Sequence, residues 1–213
     1  MKIIEPGFEI VDLLDGNEML KRIERAGRVC YKSEASITND SATRFVKNII
    51  RSGHESVIEH EKLTVKIICD RGVSHEIVRH RIASYSQEST RYCNYYADKF
   101  GNELTFIKPY FWNKDFAKYK IWENTMLYIE KTYMELIEAG AKPQEARSVL
   151  PNSLKTELIV TMNLREWRHF FKLRADKAAH PQMRQIALPL LKEFQNEIPV
   201  IFDNLIDEEY FSS

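Results

Sequence analysis

Cysteine is scarce in this chain: Cys30, Cys69 and Cys93 are all there is, odd in number, widely spaced and without a Cys-x-x-Cys pair. Such a set builds neither a disulfide framework nor a zinc knuckle, so buried or idle thiols are expected. No stretch approaches the roughly eighteen apolar residues that read as a membrane span. Met1-Lys2-Ile3-Ile4-Glu5-Pro6 also lacks the apolar run and small-residue cleavage site of a secretory signal. The expectation is a soluble, cytoplasmic protein with no membrane partner. Charge of one sign is missing too: 31 basic and 31 acidic residues give a formal net charge of +0. That balance argues against a dedicated nucleic-acid binder, which usually carries a strong basic excess. Neither GxGxxG nor GxxxxGK[ST] occurs, so any phosphate is held without the Rossmann or P-loop design. Repeats, low-complexity tracts and linkers are absent as well.

What is present suits a globular protein. In 213 residues, 44% are hydrophobic and 29% charged, enough to bury a real core, and a single domain over residues 1–213 is expected. Phe8 to Val11 reads as a short strand. Asn17 opens a helix with Leu20, Ile23 and Cys30 on its apolar face. A second helix starts near Asp40, turns Phe45, Ile49 and Ile50 inward, and stops at Gly53. Glu61 to Ile68 alternates polar and apolar as a strand does, and Glu103 to Lys108 is another strand, closed by Pro109. From Asp115 to Glu138 the spacing predicts a long helix. Its stripe of Tyr119, Trp122, Met126, Ile129, Tyr133 and Leu136 is core packing, and Gly140 ends it. Pro143 suits the first turn of a short helix carrying Arg147. Ser153 to Met162 is strand-like. Asn163, with Glu166 three residues on, forms a capping-box start for a helix bearing Arg165, His169 and Arg174. Arg184 to Ile206 forms one or two closing helices, interrupted near Pro189 and Pro199. The fold class is α+β, with a mixed or antiparallel sheet flanked by helices.

The most unusual stretch runs from Arg79 to Arg91, where three arginines, one histidine and three serines fall within thirteen positions. Arginine offers a planar fork of donors that fits phosphate or carboxylate and keeps its charge when partly buried. No lysine stands among these charges, which marks a local anion site; a solvated basic turn is the bland alternative. If the chain is extended after Ala83, Gln87, Ser89 and Arg91 line one wall. Just upstream, Gly72 to Val78 reads as a helical start with Ser74 as N-cap, placing Glu76, Arg79 and His80 on one face.

Other chemistries fit less well. His75 and His80 imitate HExxH with one residue too many, which turns the two side chains about 140° apart on a helix. No metal site is expected. None of Ser84, Ser86 and Ser89 lies in a Gly-x-Ser-x-Gly elbow, so donor hydroxyls are favoured over a nucleophile. Tyr85, Tyr92, Tyr95 and Tyr96, interleaved with arginines, keep open a single-strand or RNA-binding module, although the neutral balance disfavours it and no nucleic-acid partner is expected.

Arg79-His80-Arg81, followed by Ser89 and Arg91, resembles the signature of the flavin-dependent thymidylate synthases. Four further blocks are similar to that family's, in its order: Gly53-His54-Glu55-Ser56, Ala146-Arg147 through Leu150-Pro151, Asn163-Leu164-Arg165 and Leu173-Arg174-Ala175-Asp176. Departures occur at His75-Glu76, where Arg-Gln is common, at Ser86-Gln87, where Asn-Glu is common, and at His169, where Asn can occur. The resemblance implies reductive methylation of deoxyuridylate (dUMP) with 5,10-methylenetetrahydrofolate as carbon donor and FAD, reduced by NADPH, as hydride source. It implies a homotetramer with active sites shared between subunits. Matched to nucleotide contacts are Glu76, Arg79, Gln87, Glu88, Ser89, Thr90, Arg91, Arg147 and Arg174, with Arg174 in the catalytic role. Matched to FAD contacts are His54, Ser56, Arg79, His80, Arg81, Gln87, Asn163, Arg165 and His169. Another flavoprotein acting on a pyrimidine nucleotide is the nearest alternative.

Overall fold

The computed structural model describes residues 1–97, 101–112 and 115–205. In chain order the elements are β1 (Lys2–Ile4), β2 (Gly7–Ile10), α1 (Gly16–Val29), α2 (Ser41–Arg51), β3 (Lys62–Asp70), α3 (Arg71–Ile77), β4 (Ala83–Gln87), β5 (Thr105–Ile107), α4 (Phe116–Glu138), α5 (Pro143–Ala146), β6 (Lys155–Asn163), α6 (Leu164–Arg174), α7 (Pro181–Glu197) and α8 (Pro199–Phe202). Helices and sheet are mixed, as the α+β expectation has it. A four-stranded antiparallel sheet has the order β2-β3-β6-β4, and a separate pair joins β1 to β5. Two compact units emerge: Met1–Gly7, Ile67–Arg79 and Ser86–Ile159 form the first, and Phe8–Lys66, His80–Tyr85 and Val160–Ser213 the second.

In the first unit, β1 and β5 run parallel, with Lys2 opposite Thr105 and Ile4 opposite Ile107. At three residues β1 is too short to leave a periodic trace in the sequence. The core holds Leu104, Phe106, Trp122, Met126, Tyr133 and Leu154. That absorbs the buried half of the aromatic stripe on α4, each large side chain contributing about 1.5–3 kcal/mol. Asp115 caps α4 by accepting from the Lys118 N–H at 3.1 Å. Helix α3 starts one turn earlier than expected. Its N-cap is Asp70, whose carboxylate accepts from the Val73 N–H at 2.7 Å, while Ser74 lies buried inside the helix and donates to the Arg71 carbonyl at 2.8 Å. Because α3 ends at Ile77, Arg79 and His80 lie beyond it and share no helical face with Glu76.

In the second unit, α1 and α2 pack together with Met19, Leu20, Ile23, Val46 and Ile49 buried. Gly27 permits that approach: a Cβ there would stand 2.7 Å from the Phe45 ring. Cys30 falls past the end of α1 and is exposed, contrary to its expected place on the apolar face; Cys69 is buried and Cys93 half-buried. On α2, Ala42, Val46 and Ile49 are the buried apolar residues, and Phe45 and Ile50 are half-buried. Gly53, at φ +71°, turns the chain after α2 in the left-handed region. Trp167, Phe170, Phe171, Phe194 and Phe202 form a dense aromatic cluster with ring centroids 5.2–5.9 Å apart. The Trp167 indole N–H donates to the Leu63 carbonyl at 3.0 Å. Pro189 does not interrupt the closing helix: it sits inside α7, exposed, while Ile186, Ala187, Leu190, Leu191 and Phe194 are buried. Burial of that face offsets the roughly 3 kcal/mol that an internal proline costs. The expected end of the closing helices at Ile206 lies outside the described residues. No helix among the described residues is long and apolar enough to cross a membrane.

Buried phenols make alkaline pH a sensitive variable. In the second unit, burial pushes the Tyr85 hydroxyl from 10.0 up to about 12, with the Glu166 charge adding to it. The unfolded phenol ionises near 10 while the folded one keeps its proton, so this stability is full below pH 10 and is lost as pH rises toward 12. Urea midpoints measured from pH 8 upward are expected to fall above pH 10 and to fall less steeply in Tyr85→Phe. Parallel curves for the two proteins would contradict this.

Candidate active site

Within the second unit, α6 carries two of the expected flavin contacts, Arg165 and His169, and a third, Asn163, builds its start. The Asn163 side-chain oxygen accepts from the Glu166 N–H at 2.8 Å, so this residue is indeed the cap. The reciprocal half of a capping box is not how the Glu166 side chain is used. Its Oε1 stands 3.1 Å from Nδ1 of His80, a residue only 4% exposed. On the opposite side of that ring, Nε2 accepts from Arg174 Nε at 3.1 Å. Tyr85 donates its hydroxyl to the His80 carbonyl at 2.7 Å, and the Phe170 ring lies 5.0 Å from the imidazole. Burial, then the charges of Arg174 and His169, hold the His80 pKa down at about 4. Burial moves the Glu166 carboxyl upward, partly countered by His169. A neutral imidazole with its proton on Nδ1 satisfies both neighbours, giving a hydrogen bond to the carboxylate and receiving one from the guanidinium.

His80, Glu166 and His169 bring possible ligand atoms within 4.8 Å of one another, a spacing a metal ion can use. Arg174 weighs against that use. Its guanidinium occupies Nε2 while the carboxylate occupies Nδ1, and a cation there would meet a fixed positive charge.

A cleft of about 500 Å³ opens on this side of α6. Its donors are Asn163, Arg165, Arg168, His169 and Lys172, and its carboxylates are Glu55, Glu59 and Glu166. Arg165 is held by Glu59 at 2.6 Å. Arg168 is 2% exposed and donates to Glu55 at 3.1 Å, to Asn204 at 3.0 Å and to the Ile201 carbonyl, while its buried Nε has no hydrogen-bond partner. A second cavity of about 450 Å³ shares Glu59, Ile82 and Asn163 with the first. Exposed His54 and Ser56 flank Glu55, and exposed Arg81 precedes Ile82, without themselves lining the cleft. Three cationic side chains set against three carboxylates leave the cleft formally balanced in charge, and the two adjoining cavities offer room for a ligand with two lobes. Glu55, Glu59, Glu166, Arg168 and Lys172 escaped the sequence reading. Glu166 showed there only as a helix-start residue and Glu55 only as a member of the Gly53-His54-Glu55-Ser56 block, while Glu59, Arg168 and Lys172 lie beside matched positions without a role of their own.

The expected nucleotide contacts, Arg174 excepted, belong to the first unit. The extended wall ends sooner than anticipated: β4 stops at Gln87, and the N–H groups of Tyr92 and Cys93 bond back to the Ser89 carbonyl, so Ser89 and Arg91 sit in a turn. Gln87 Nε2 donates to Ser74 at 3.1 Å and to Thr156 at 3.2 Å. The Glu88 carboxylate accepts from Tyr95 at 2.7 Å and Lys155 at 2.9 Å, which anchors the start of that turn. Thr90 is buried, and the Arg91 guanidinium lies over the Tyr92 ring, 5.2 Å from its centre. Glu76 is half-buried on α3, and Arg79 and Arg147 are exposed, the latter capping α5.

Comparison with known proteins gives the family. Residues 12–200 match the family described as thymidylate synthase complementing protein. The chain is 38% identical over 181 residues to a flavin-dependent thymidylate synthase of Pyrococcus furiosus, an overlap covering 82% of this chain and 73% of the relative. It is 36% identical over 184 residues to a protein of the same name from Geobacter sulfurreducens, covering 83% of this chain and 78% of that one. A third, from Mycobacterium avium, is 33% identical over 206 residues, covering 88% and 79%. With agreement across nearly its whole length, the chain belongs to the flavin-dependent thymidylate synthase family.

Proposed function

We propose that this chain methylates dUMP at carbon 5 to give thymidylate, drawing the carbon from 5,10-methylenetetrahydrofolate. FAD, reduced by NADPH, supplies the hydride when bound. The observation that carries this reading is the bond between His80 and Arg174. It draws the Arg-His-Arg signature and the arginine given the catalytic role to one place across 94 residues of chain. The residues of the protein bind, orient and polarise. Arg165, His169 and Asn163, with Arg168 behind them, are the groups that would hold the flavin and its phosphates; His54, Ser56, Arg79, His80, Arg81 and Gln87 complete the proposed set. Gln87, Glu88, Ser89, Thr90, Arg91 and Arg147, with Glu76 and Arg79, are proposed for the nucleotide, and its phosphate dianion would be met by arginine forks and by Ser89. Arg174, at the pyrimidine edge, would stabilise the ring after loss of its imide proton and so raise electron density at carbon 5. We also propose a homotetramer whose subunits complete one another's sites.

Flavin uptake is the first test. Protein incubated with FAD and passed through a desalting column is expected to emerge yellow, with a flavin absorption band near one FAD per chain. Colourless protein that retains no flavin would overturn the reading. Light scattering that found a monomer at micromolar concentration would overturn the shared-site assembly.

A further inference from the structure

We propose that Glu166 is a positioning residue for Arg174, acting through His80. The proposal rests on the role given to Arg174 above. Glu166 and Arg174 occupy the same helix, eight residues apart, which separates their backbones by about 12 Å. A side chain from another segment links them. His80 supplies it, with Glu166 Oε1 and Arg174 Nε each 3.1 Å from one of its two ring nitrogens.

The order of the three groups gives Glu166 its leverage. A carboxylate beside Nδ1 requires the proton to sit there, which leaves Nε2 as a bare lone pair in the ring plane. The ring itself is fixed by burial against Phe170 and by the Tyr85 hydroxyl on the His80 carbonyl. Arg174 Nε–H therefore has one direction from which to approach, and the plane of its guanidinium is set. Without the carboxylate the proton is free to move to Nε2, where N–H would face N–H and the guanidinium would have to swing away. Such a displacement matters for an electrostatic catalyst, because a misplacement of about 1 Å costs on the order of a hundredfold in rate. His169, the other titratable group facing the ring, is exposed and 5.5 Å away by ring centres, so it biases the charge of His80 without fixing its tautomer.

Two substitutions separate positioning from mere support. Glu166→Gln keeps a carbonyl oxygen able to accept from Nδ1–H, and it is expected to retain kcat within about threefold. Glu166→Met keeps the volume and removes the acceptor; with FAD at saturation, kcat is expected to drop roughly ten- to hundredfold. Placed in an Arg174→Ala background, Glu166→Met is expected to cost nothing further, since its effect passes through that arginine. Nitrogen-15 NMR of histidine-labelled protein provides a readout independent of turnover: His80 is expected to be protonated at Nδ1 in the unmodified chain and to shift toward Nε2 in Glu166→Met. If Glu166→Met gives no soluble protein, Glu166→Asp, with its carboxylate withdrawn by one methylene, serves for the same comparisons. The proposal is overturned by a Glu166→Met enzyme with undiminished kcat, by an equal loss in the Arg174→Ala background, or by an unchanged His80 tautomer. An active Arg174→Ala enzyme would instead remove the role of Arg174 itself, so the two failures are told apart.

Discussion

Replacing Arg174 with Ala is expected to lower turnover by about 10²–10³-fold, the range found when one preorganised donor to a developing anion is removed. The fold is expected to survive. Arg174 is half-buried at the last position of α6, and the apolar anchors of that helix, Trp167, Phe170 and Phe171, lie on earlier turns. FAD uptake is also expected to persist, because Arg165, His169 and Lys172 line the cleft independently of it. Arg174→Lys is expected to recover little: an ammonium keeps the charge but loses the planar fork and the Nε that His80 fixes. Steady-state kinetics with each variant, beside a flavin titration, checks this. Turnover near that of the unmodified chain in Arg174→Ala would remove the catalytic assignment.

The second large effect concerns stability. Arg168→Ala is expected to destabilise the protein by about 3 kcal/mol, the lower end of the cost of removing one partner from a buried ion pair. Arg168 is almost fully enclosed and ties α6 to Glu55 and to the Ile201 carbonyl at α8. Its loss strands a carboxylate that keeps some access to water, with a side-chain exposure of 22%, which is why the effect belongs at that lower end. Burial lowers the Arg168 pKa, with Glu55 acting the other way, so the enclosed charge carries a desolvation cost that its partners offset. Urea unfolding followed by tryptophan fluorescence measures the change. A shift within about 0.5 kcal/mol, typical of surface substitutions, would contradict the structural role.

The long elements were legible in the sequence because their patterns are long. Helix α4, the strands β3 and β6 and the cap at Asn163 all appear where periodicity and capping chemistry place them. Short-range competition caused the misplacements. Asp70 and Ser74 are both good caps, and only the chain's path shows that the Asp70 carboxylate meets the Val73 N–H, which moves the end of α3 ahead of Arg79. Pro189 is tolerated within α7 because the apolar face around it is buried, a tertiary effect that local propensity does not carry. At the site, residue identity was readable but partnership was not. Glu166 sits 86 residues from His80, and nothing in spacing links a helix-start glutamate to a signature histidine. The same holds for Glu88, matched to the nucleotide set, whose carboxylate is shared by Tyr95 and Lys155.

The most direct test of the proposed chemistry is release of tritium from dUMP labelled at carbon 5, followed with FAD and NADPH present and with methylenetetrahydrofolate either added or withheld. Release that depends on the folate, with labelled carbon from the folate appearing in thymidylate, is the predicted result. Tritium release indifferent to the folate, or no thymidylate from flavin-loaded protein, would contradict the account.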